Sequence, residues 1–209
     1  MRSKKTGTVR IIGGRWRGRR LPVADLPGLR PSGDRSRETL FNWLQADIRG
    51  ARCVDLFAGT GALGLEAASR GASRVVLIEQ APRAARAIEQ SARTLAGGDE
   101  QAATPAGDGI TVVRGDALHW LETCESASID IAFVDPPFGS GLAARALDRL
   151  AACGCLARGG RVERTLTASG HSFRLVNGAS PSQLISRTGM IRVDSISFGP
   201  TITCLASTS

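Results

Sequence analysis

Two short segments of the chain carry residue types that suit group-transfer chemistry. In the first, Asp55 stands directly before a turn that contains Gly59, Gly61 and Gly64. A glycine turn between a strand and a helix places a ligand at the carboxyl ends of the strands. The same spacing fits a dinucleotide site, with a pyrophosphate on the helix N-terminus. A carboxylate at position 55 would repel a diphosphate, so it favours a cationic ligand such as S-adenosylmethionine.

Two further acidic residues follow the next predicted strands. Glu79 ends the second strand, and its carboxylate can bind the ribose hydroxyls of either cofactor. Asp116 follows the third strand and can accept a hydrogen bond from an adenine amino group. We therefore expect Asp55, Gly59 and Gly61 to hold the methionine part of S-adenosylmethionine, Glu79 the ribose and Asp116 the adenine.

The second segment is the run Asp135-Pro136-Pro137-Phe138, after the fourth predicted strand. An exocyclic amine on a base is a weak nucleophile because its lone pair is delocalised into the ring. The Asp135 carboxylate and the Pro136 carbonyl can each accept one N–H, which aims the lone pair at the methyl group. The two prolines fix the backbone, and Phe138 offers a flipped base a face for stacking. This chemistry needs positioning and electrostatics, with no metal and no covalent intermediate.

The positive charge of the chain is concentrated at its N-terminus. Residues 1–37 hold 11 Lys and Arg against two acidic residues, whereas residues 38–209 hold 16 basic and 17 acidic residues. A basic arm on a neutral body predicts a polyanionic partner. The interleaved glycines and a tryptophan predict an ordered hairpin that lies close to a backbone and stacks a base. The candidate RNA-binding residues are Arg10, Arg15, Trp16, Arg17, Arg19 and Arg20.

Short apolar runs alternate with helical patterns along the middle of the chain. The runs predict strands at residues 53–57, 74–78, 110–113 and 129–134, and the patterns predict helices at residues 62–70, 81–95, 117–124 and 141–153. This alternation predicts an α/β fold with a mostly parallel sheet and helices on both faces. An earlier helix, capped by Ser32 or Asp34, should run to Gly50. After a weak strand at residues 160–163, the tail offers only candidate strands at residues 172–176, 190–198 and 201–205.

Composition excludes several classes of protein. The chain is 42% hydrophobic and 22% charged, which is typical of globular proteins. It has neither an apolar run of about 18 residues nor the apolar core of a secretory signal, so we expect a cytoplasmic protein without membrane contact. The sequence contains no His/Cys cluster, so we expect no metal site. Cys153 and Cys155 form a CxC pair, which either binds a metal or redox partner or, more simply, consists of small buried residues in a reducing cytosol.

The sequence resembles one family along residues 9 to about 160. The resemblance is carried by residues 10–19, 28–32, 34–38, 40–44, 55–67 and 134–138. These segments are similar to the RsmD-type 16S rRNA guanine-N2 methyltransferases of bacteria. The resemblance implies a class I S-adenosylmethionine-dependent methyltransferase, with a Rossmann-like, mostly parallel seven-stranded sheet and a basic N-terminal hairpin arm. It also implies the target, guanine 966 of 16S rRNA in the assembled small ribosomal subunit.

The resemblance also divides the chain and extends the site. It implies an arm and linker over residues 1–31 and a methyltransferase domain over residues 32–209, which we expect to act as a monomer. The segment from Arg30 to Glu38 would close over the methionine end of the cofactor. The full cofactor set is then Asp55, Phe57, Gly59, Gly61, Glu79, Asp116, Ala117 and Arg35. One departure is the tail, because the family closes its sheet with an apolar strand and an aromatic-rich antiparallel hairpin, and this chain has no tyrosine.

Three other functions stay open at this point. An adenine-N6 DNA methyltransferase shares the chemistry of the Asp-Pro-Pro-Phe motif, although the resemblance of the arm to the rRNA methyltransferase family weighs against it. A ribosome-assembly factor with a retained cofactor fold would bind RNA without turnover. A nicotinamide oxidoreductase fits the glycine spacing, but the chain offers no candidate proton donor for hydride transfer.

Overall fold

A computed structural model describes residues 7–23, 33–97, 109–137, 140–166, 171–177 and 202–207. The chain divides into two compact units, Met1–Asp116 and Ala117–Ser209. The predicted arm belongs to the first unit, together with the glycine turn. The Asp-Pro-Pro segment belongs to the second.

The first unit contains a small hairpin and one half of an α/β fold. Its elements are β1 (Thr8–Arg10), a 3₁₀ helix (Gly14–Trp16), β2 (Arg20–Pro22), α1 (Asp34–Trp43), β3 (Arg52–Asp55), α2 (Ala62–Ser69), β4 (Arg74–Glu79), α3 (Pro82–Ala96) and β5 (Ile110–Arg114). β1 and β2 pair antiparallel. β4 lies between β3 and β5 and is parallel to both.

The pattern of buried residues shows how these elements pack. β4 carries four consecutive buried residues, Val75 to Ile78, as expected for a strand covered on both faces. All eight residues of α2 are buried. Gly64 lets α2 lie directly on β4, because a Cβ there would come within 2.5 Å of the Leu77 side chain. α3 is amphipathic, begins with a proline and ends at Gly97 with a φ of 109°.

The second unit begins at the helix that follows β5. Its elements are α4 (Ala117–Glu122), β6 (Ile129–Phe133), α5 (Leu142–Ala152), β7 (Leu156–Leu166), β8 (His171–Asn177) and β9 (Ile202–Ser207). β6 and β7 are parallel, with Phe133 beside Glu163. β8 pairs antiparallel with β7, and β9 pairs antiparallel with β8.

The predicted α/β class is confirmed, and the strands and helices between residues 51 and 153 lie within about two residues of their predicted bounds. Two predictions need correction. α1 ends at Trp43 and not at Gly50, and Asp34 is its first residue rather than its cap, which is Gly33. The weak strand at residues 160–163 is the middle of an 11-residue strand that leads into an antiparallel hairpin. The predicted strand at residues 190–198 and the alternative cap Ser32 lie outside the described residues.

The CxC pair also differs from the simpler expectation. The sulfur atoms of Cys153 and Cys155 are joined in a disulfide at the end of α5. Cys155 is buried, whereas Cys153 is partly exposed. Neither Cys53 nor Cys124 takes part in a disulfide.

Candidate functional site

The glycine turn of the first unit joins β3 to α2. Gly59 and Gly61 have φ values of 55° and 75°, in the left-handed region that favours glycine. The Gly61 carbonyl accepts the first bond of α2, from the Leu65 N–H at 2.9 Å. The turn therefore has the backbone that the spacing of glycines predicts.

Asp55 is buried under this turn and stabilises it by a hydrogen bond. Its side chain is 1% exposed, and its Oδ2 accepts the N–H of Gly64 at 3.1 Å. The bond ties the end of β3 to the first turn of α2. In this structure the carboxylate thus shapes the turn, and a contact between Asp55 and a cofactor stays a prediction. Phe57, also predicted to contact the cofactor, is half-buried in the turn.

Glu79 lies beside the turn at the end of β4. Its Oε2 accepts the Gly59 N–H at 2.8 Å, and its Oε1 accepts the Ala81 N–H at 2.7 Å. A carboxylate offers about four acceptor positions, and these two bonds occupy one on each oxygen. The carboxylate is half-buried, so it is held rigidly and keeps acceptor capacity for hydroxyl groups.

Asp116 follows the neighbouring strand at the same edge of the sheet. Arg114 is the register partner of Glu79, and the Gly115 N–H donates to the Glu79 carbonyl at 3.1 Å. Asp116 is exposed one residue further on. The structure therefore brings Asp116, Glu79 and the glycine turn together at the carboxyl ends of β3, β4 and β5.

Two further predicted cofactor residues lie at the beginnings of helices. Ala117 is buried and begins α4 in the second unit. Arg35 is exposed in the first turn of α1. Its place over the cofactor remains a prediction, since no hydrogen bond or ion pair of Arg35 is found among the described residues.

The Asp-Pro-Pro segment leaves β6 in the second unit. The Val134 N–H donates to the Glu163 carbonyl at 2.8 Å, which extends the pairing with β7 by one residue. Asp135 and Pro136 are half-buried and Pro137 is exposed. The Pro137 carbonyl accepts the Ser140 hydroxyl at 2.7 Å. Within the described part of the chain, no hydrogen bond reaches the Pro136 carbonyl, and Phe138 lies outside that part.

The hairpin of the first unit is anchored on α2 rather than free. The Glu66 carboxylate accepts the N–H groups of Ile12 and Gly13, both at 2.8 Å. Ser69 donates its hydroxyl to the Gly13 carbonyl at 2.6 Å and accepts the Trp16 N–H at 3.0 Å. The backbone of the hairpin is thus held by two side chains of one helix.

Two arginines complete this anchor. Arg70 Nε lies 2.7 Å from Glu66 Oε1. The buried Arg37 lies 3.9 Å from the other carboxylate oxygen and donates to the Arg10 carbonyl at 2.9 Å. Sequence reasoning missed Glu66, Ser69 and Arg37 as a group. The available signal was a glutamate within a helix whose other residues are apolar or small.

The predicted RNA-binding residues of the hairpin divide into two groups. The five arginines are exposed: Arg10, Arg15, Arg17, Arg19 and Arg20. Trp16 is only 6% exposed, with the Arg15 guanidinium 4.0 Å from the centre of its ring. The expectation that Trp16 stacks a base is therefore corrected, because its ring packs into the protein and is covered by Arg15.

The described residues contain neither a metal-binding cluster nor a membrane-spanning helix. Among the residues that the structure describes, no group of three His, Cys, Asp or Glu side chains could hold a metal ion. None of the described helices combines the length and the apolar character needed to span a membrane.

A parallel α/β sheet with a glycine turn and carboxylates at successive strand ends defines the class I methyltransferase fold. Solved structures agree with this class. A candidate methyltransferase from Escherichia coli, yhhF, is 41% identical with a TM-score of 0.65, over 76% of this chain and 80% of that one.

Relatives narrow the class to one family. A family model described as Conserved hypothetical protein 95 matches residues 9–171. Ribosomal RNA small subunit methyltransferase D of Escherichia coli K12 is 45% identical over 152 residues, 73% of this chain and 71% of the relative. The protein of that name from Haemophilus influenzae is 43% identical over 145 residues, 69% and 71% of the two chains. The chain belongs to this RsmD-type family.

Proposed function

We propose that this protein transfers a methyl group from S-adenosylmethionine to the exocyclic N2 amine of a guanine in 16S rRNA, within the assembled small ribosomal subunit. The observation that carries the proposal is a pair of motifs, each at the carboxyl end of a strand: the Glu79-bound glycine turn after β3 and Asp135-Pro136 after β6. They occur in a chain 45% identical to a protein named ribosomal RNA small subunit methyltransferase D.

The turn fits S-adenosylmethionine better than a dinucleotide. Its surroundings are acidic, with Asp55 below it and Glu79 bound to the Gly59 N–H. These carboxylates suit the ammonium and sulfonium of S-adenosylmethionine and disfavour a pyrophosphate. Glu79 would hold the ribose hydroxyls with its remaining acceptor positions, and Asp116 would accept from the adenine amino group. When bound, the cofactor supplies an electrophilic methyl group.

The Asp-Pro-Pro segment would prepare the nucleophile. The Asp135 carboxylate and the Pro136 carbonyl would accept the two N–H bonds of the guanine amine and orient its lone pair. The oriented amine would take the methyl group that the cofactor supplies, the sulfur would leave as a neutral thioether, and the proton released by the amine would pass to water. Phe138 would stack on the base after it has left its helix. The residues thus contribute orientation and electrostatic stabilisation.

The exposed arginines of the hairpin would contact RNA phosphates. Arg15, Arg17 and Arg20 project from a hairpin that Glu66 and Ser69 hold against the body of the first unit. A rigid support lowers the ordering cost of each contact. Trp16 supports the hairpin from within and has no role in stacking here.

The decisive experiment uses the purified protein, labelled S-adenosylmethionine and small ribosomal subunits that lack the modification. The methylated nucleotide is mapped after the reaction, and protein-free 16S rRNA and duplex DNA serve as alternative substrates. We expect label on the N2 atom of one guanine of the subunit. Label on adenine in DNA would indicate an adenine-N6 methyltransferase, and tight binding without label would indicate an assembly factor.

A further inference from the structure

Helix α3 presents a basic face to solvent. Its buried side consists of small and aliphatic residues: Ala84, Ala85, Ile88, Ser91 and Leu95. The exposed side carries Arg83, Arg86 and Arg93. At 3.6 residues per turn these three side chains lie within about 80° of the helix circumference. They therefore form one stripe along the helix, which we call the α3 stripe.

Basic residues outnumber acidic residues on α3. Glu89 is the one acidic residue of α3. Within the described part of the chain, Arg83, Arg86 and Arg93 form no ion pair with a carboxylate. Arginine heads on protein surfaces often pair with nearby acids, as Arg149 does with Glu122 at 3.2 Å. Three exposed guanidinium groups on one face, without an ion pair among the described residues, form a surface suited to phosphate oxygens.

The α3 stripe continues the basic surface of the hairpin. Arg19 NH1 donates to the Thr94 carbonyl at 3.0 Å, one residue beyond Arg93. The hairpin arginines Arg17 and Arg20 are exposed on either side of Arg19. The hairpin and α3 thus belong to one compact unit and are in contact at Arg19 and Thr94.

We infer that the α3 stripe is a second RNA-backbone contact, which binds phosphates beyond those held by the hairpin. The inference rests on the proposed function, since it takes RNA as the substrate. It assigns part of the RNA affinity to a region outside the N-terminal arm, because residues 38–209 hold 16 basic and 17 acidic residues in total and yet present positive charge at this face. Arginine suits this contact, since its planar fork binds two phosphate oxygens at once.

The test compares three triple variants by their binding to small subunits across a range of salt concentrations. The first removes the α3 stripe (Arg83→Gln, Arg86→Gln, Arg93→Gln). The second removes hairpin arginines (Arg15→Gln, Arg17→Gln, Arg20→Gln). The third is a matched control that removes the same charge from exposed arginines of other elements, namely Arg49→Gln, Arg74→Gln and Arg145→Gln. Glutamine keeps the helix propensity of arginine.

Each lost phosphate contact should reduce the slope of log affinity against log salt by about 0.7–0.9. The stripe variant should therefore flatten the slope by roughly two units and weaken affinity on the order of tenfold to a hundredfold near physiological salt. Its KM for subunits should rise with unchanged affinity for S-adenosylmethionine. The control should stay close to wild type in all three measurements.

Different results would overturn different claims. If the stripe variant matches the control while the hairpin variant loses affinity, the α3 inference is wrong and the proposed function stands. If the wild-type protein neither binds nor methylates subunits, the proposed function itself fails. If the stripe variant loses affinity for subunits but binds protein-free 16S rRNA like wild type at low salt, then α3 contacts a ribosomal protein, which also overturns the inference.

Discussion

The carboxylate of Glu66 and the guanidinium of Arg37 are both fully buried and lie 3.9 Å apart. Glu66 also binds two N–H groups of the hairpin, and Arg37 binds the carbonyl of Arg10. One buried charge pair therefore joins α1, α2 and the hairpin. The proposed RNA-binding hairpin is held by the helix that follows the glycine turn.

Replacing Glu66 should destabilise the first unit. We expect Glu66→Ala to lower the free energy of unfolding by about 2–5 kcal/mol, because it leaves the N–H groups of Ile12 and Gly13 without their acceptor. It also removes the acceptor of the Arg70 Nε–H, whereas Arg37 keeps its ion pair with Asp34 at 2.6 Å. Glu66→Gln keeps an oxygen that can accept one hairpin N–H, so its loss should be smaller. Denaturant titration of both variants measures the difference. Wild-type stability of Glu66→Ala would mean that the hairpin does not depend on this pair.

A substitution at Gly14 tests the same contact between the hairpin and α2 through packing rather than through charge. Its φ is 76°, and an added Cβ would clash with the carbonyl oxygen of Ser69 on α2, only 1.9 Å away. Gly18 has a φ of 85° but no atom within 4 Å of its added Cβ. Gly14→Ala should therefore displace the hairpin from α2, whereas Gly18→Ala should cost only the backbone strain of about 1–2 kcal/mol.

Limited proteolysis after the hairpin arginines distinguishes these two variants. We expect faster cleavage in Gly14→Ala than in the wild type, and near wild-type cleavage in Gly18→Ala. Equal cleavage rates in both variants would argue that the hairpin is not seated on α2 in solution.

The sequence predicts the central strands and helices well because their signals are local. The apolar run of β4 and the amphipathic pattern of α3 each identify an element without reference to any other. The predicted site residues occur where strands end, as Glu79, the glycine turn and the Asp-Pro-Pro segment all do. Topology alone therefore brings Gly59, Gly61 and Glu79 together. Positions of site residues relative to strand ends are thus predictable from pattern.

The hairpin anchor could not be predicted in this way. Glu66 lies 53 residues from Gly13, and it binds backbone N–H groups, which leave no residue-type signal in the partner segment. The burial of Trp16 could not be predicted for a related reason, because a tryptophan between arginines fits either an exposed stacking surface or a buried side chain. The full length of β7 is not evident from the sequence, because Gly159 and Gly160 interrupt its apolar pattern.

Glu79 should be the strongest single determinant of cofactor affinity. We expect Glu79→Ala to weaken S-adenosylmethionine binding by about 1.5–3 kcal/mol, from lost charge-assisted hydrogen bonds to the ribose. Part of this loss would come from the turn, because Glu79 also holds the N–H groups of Gly59 and Ala81. Glu79→Gln, which can still bind one of these groups, should recover part of the affinity.

Calorimetric titration with S-adenosylmethionine measures these changes, and the exposed Glu125→Ala is the matched control. We expect the control to bind like wild type. Unchanged affinity in Glu79→Ala would remove Glu79 from the cofactor site and leave it as a support of the turn alone.

Asp135 should matter for turnover far more than for cofactor binding. It is half-buried two residues after the end of β6. We expect Asp135→Ala to lower kcat at least about a hundredfold, as is typical when a contact to the transition state is removed. The exposed Asp148→Ala on α5 is the control.

Three residues after Asp135, Phe138→Tyr should retain activity and Phe138→Ala should not, because stacking requires a ring. Normal turnover in Phe138→Ala would show that the base is stacked elsewhere, and an equal loss of cofactor affinity and kcat in Asp135→Ala would assign Asp135 to the cofactor instead of the base.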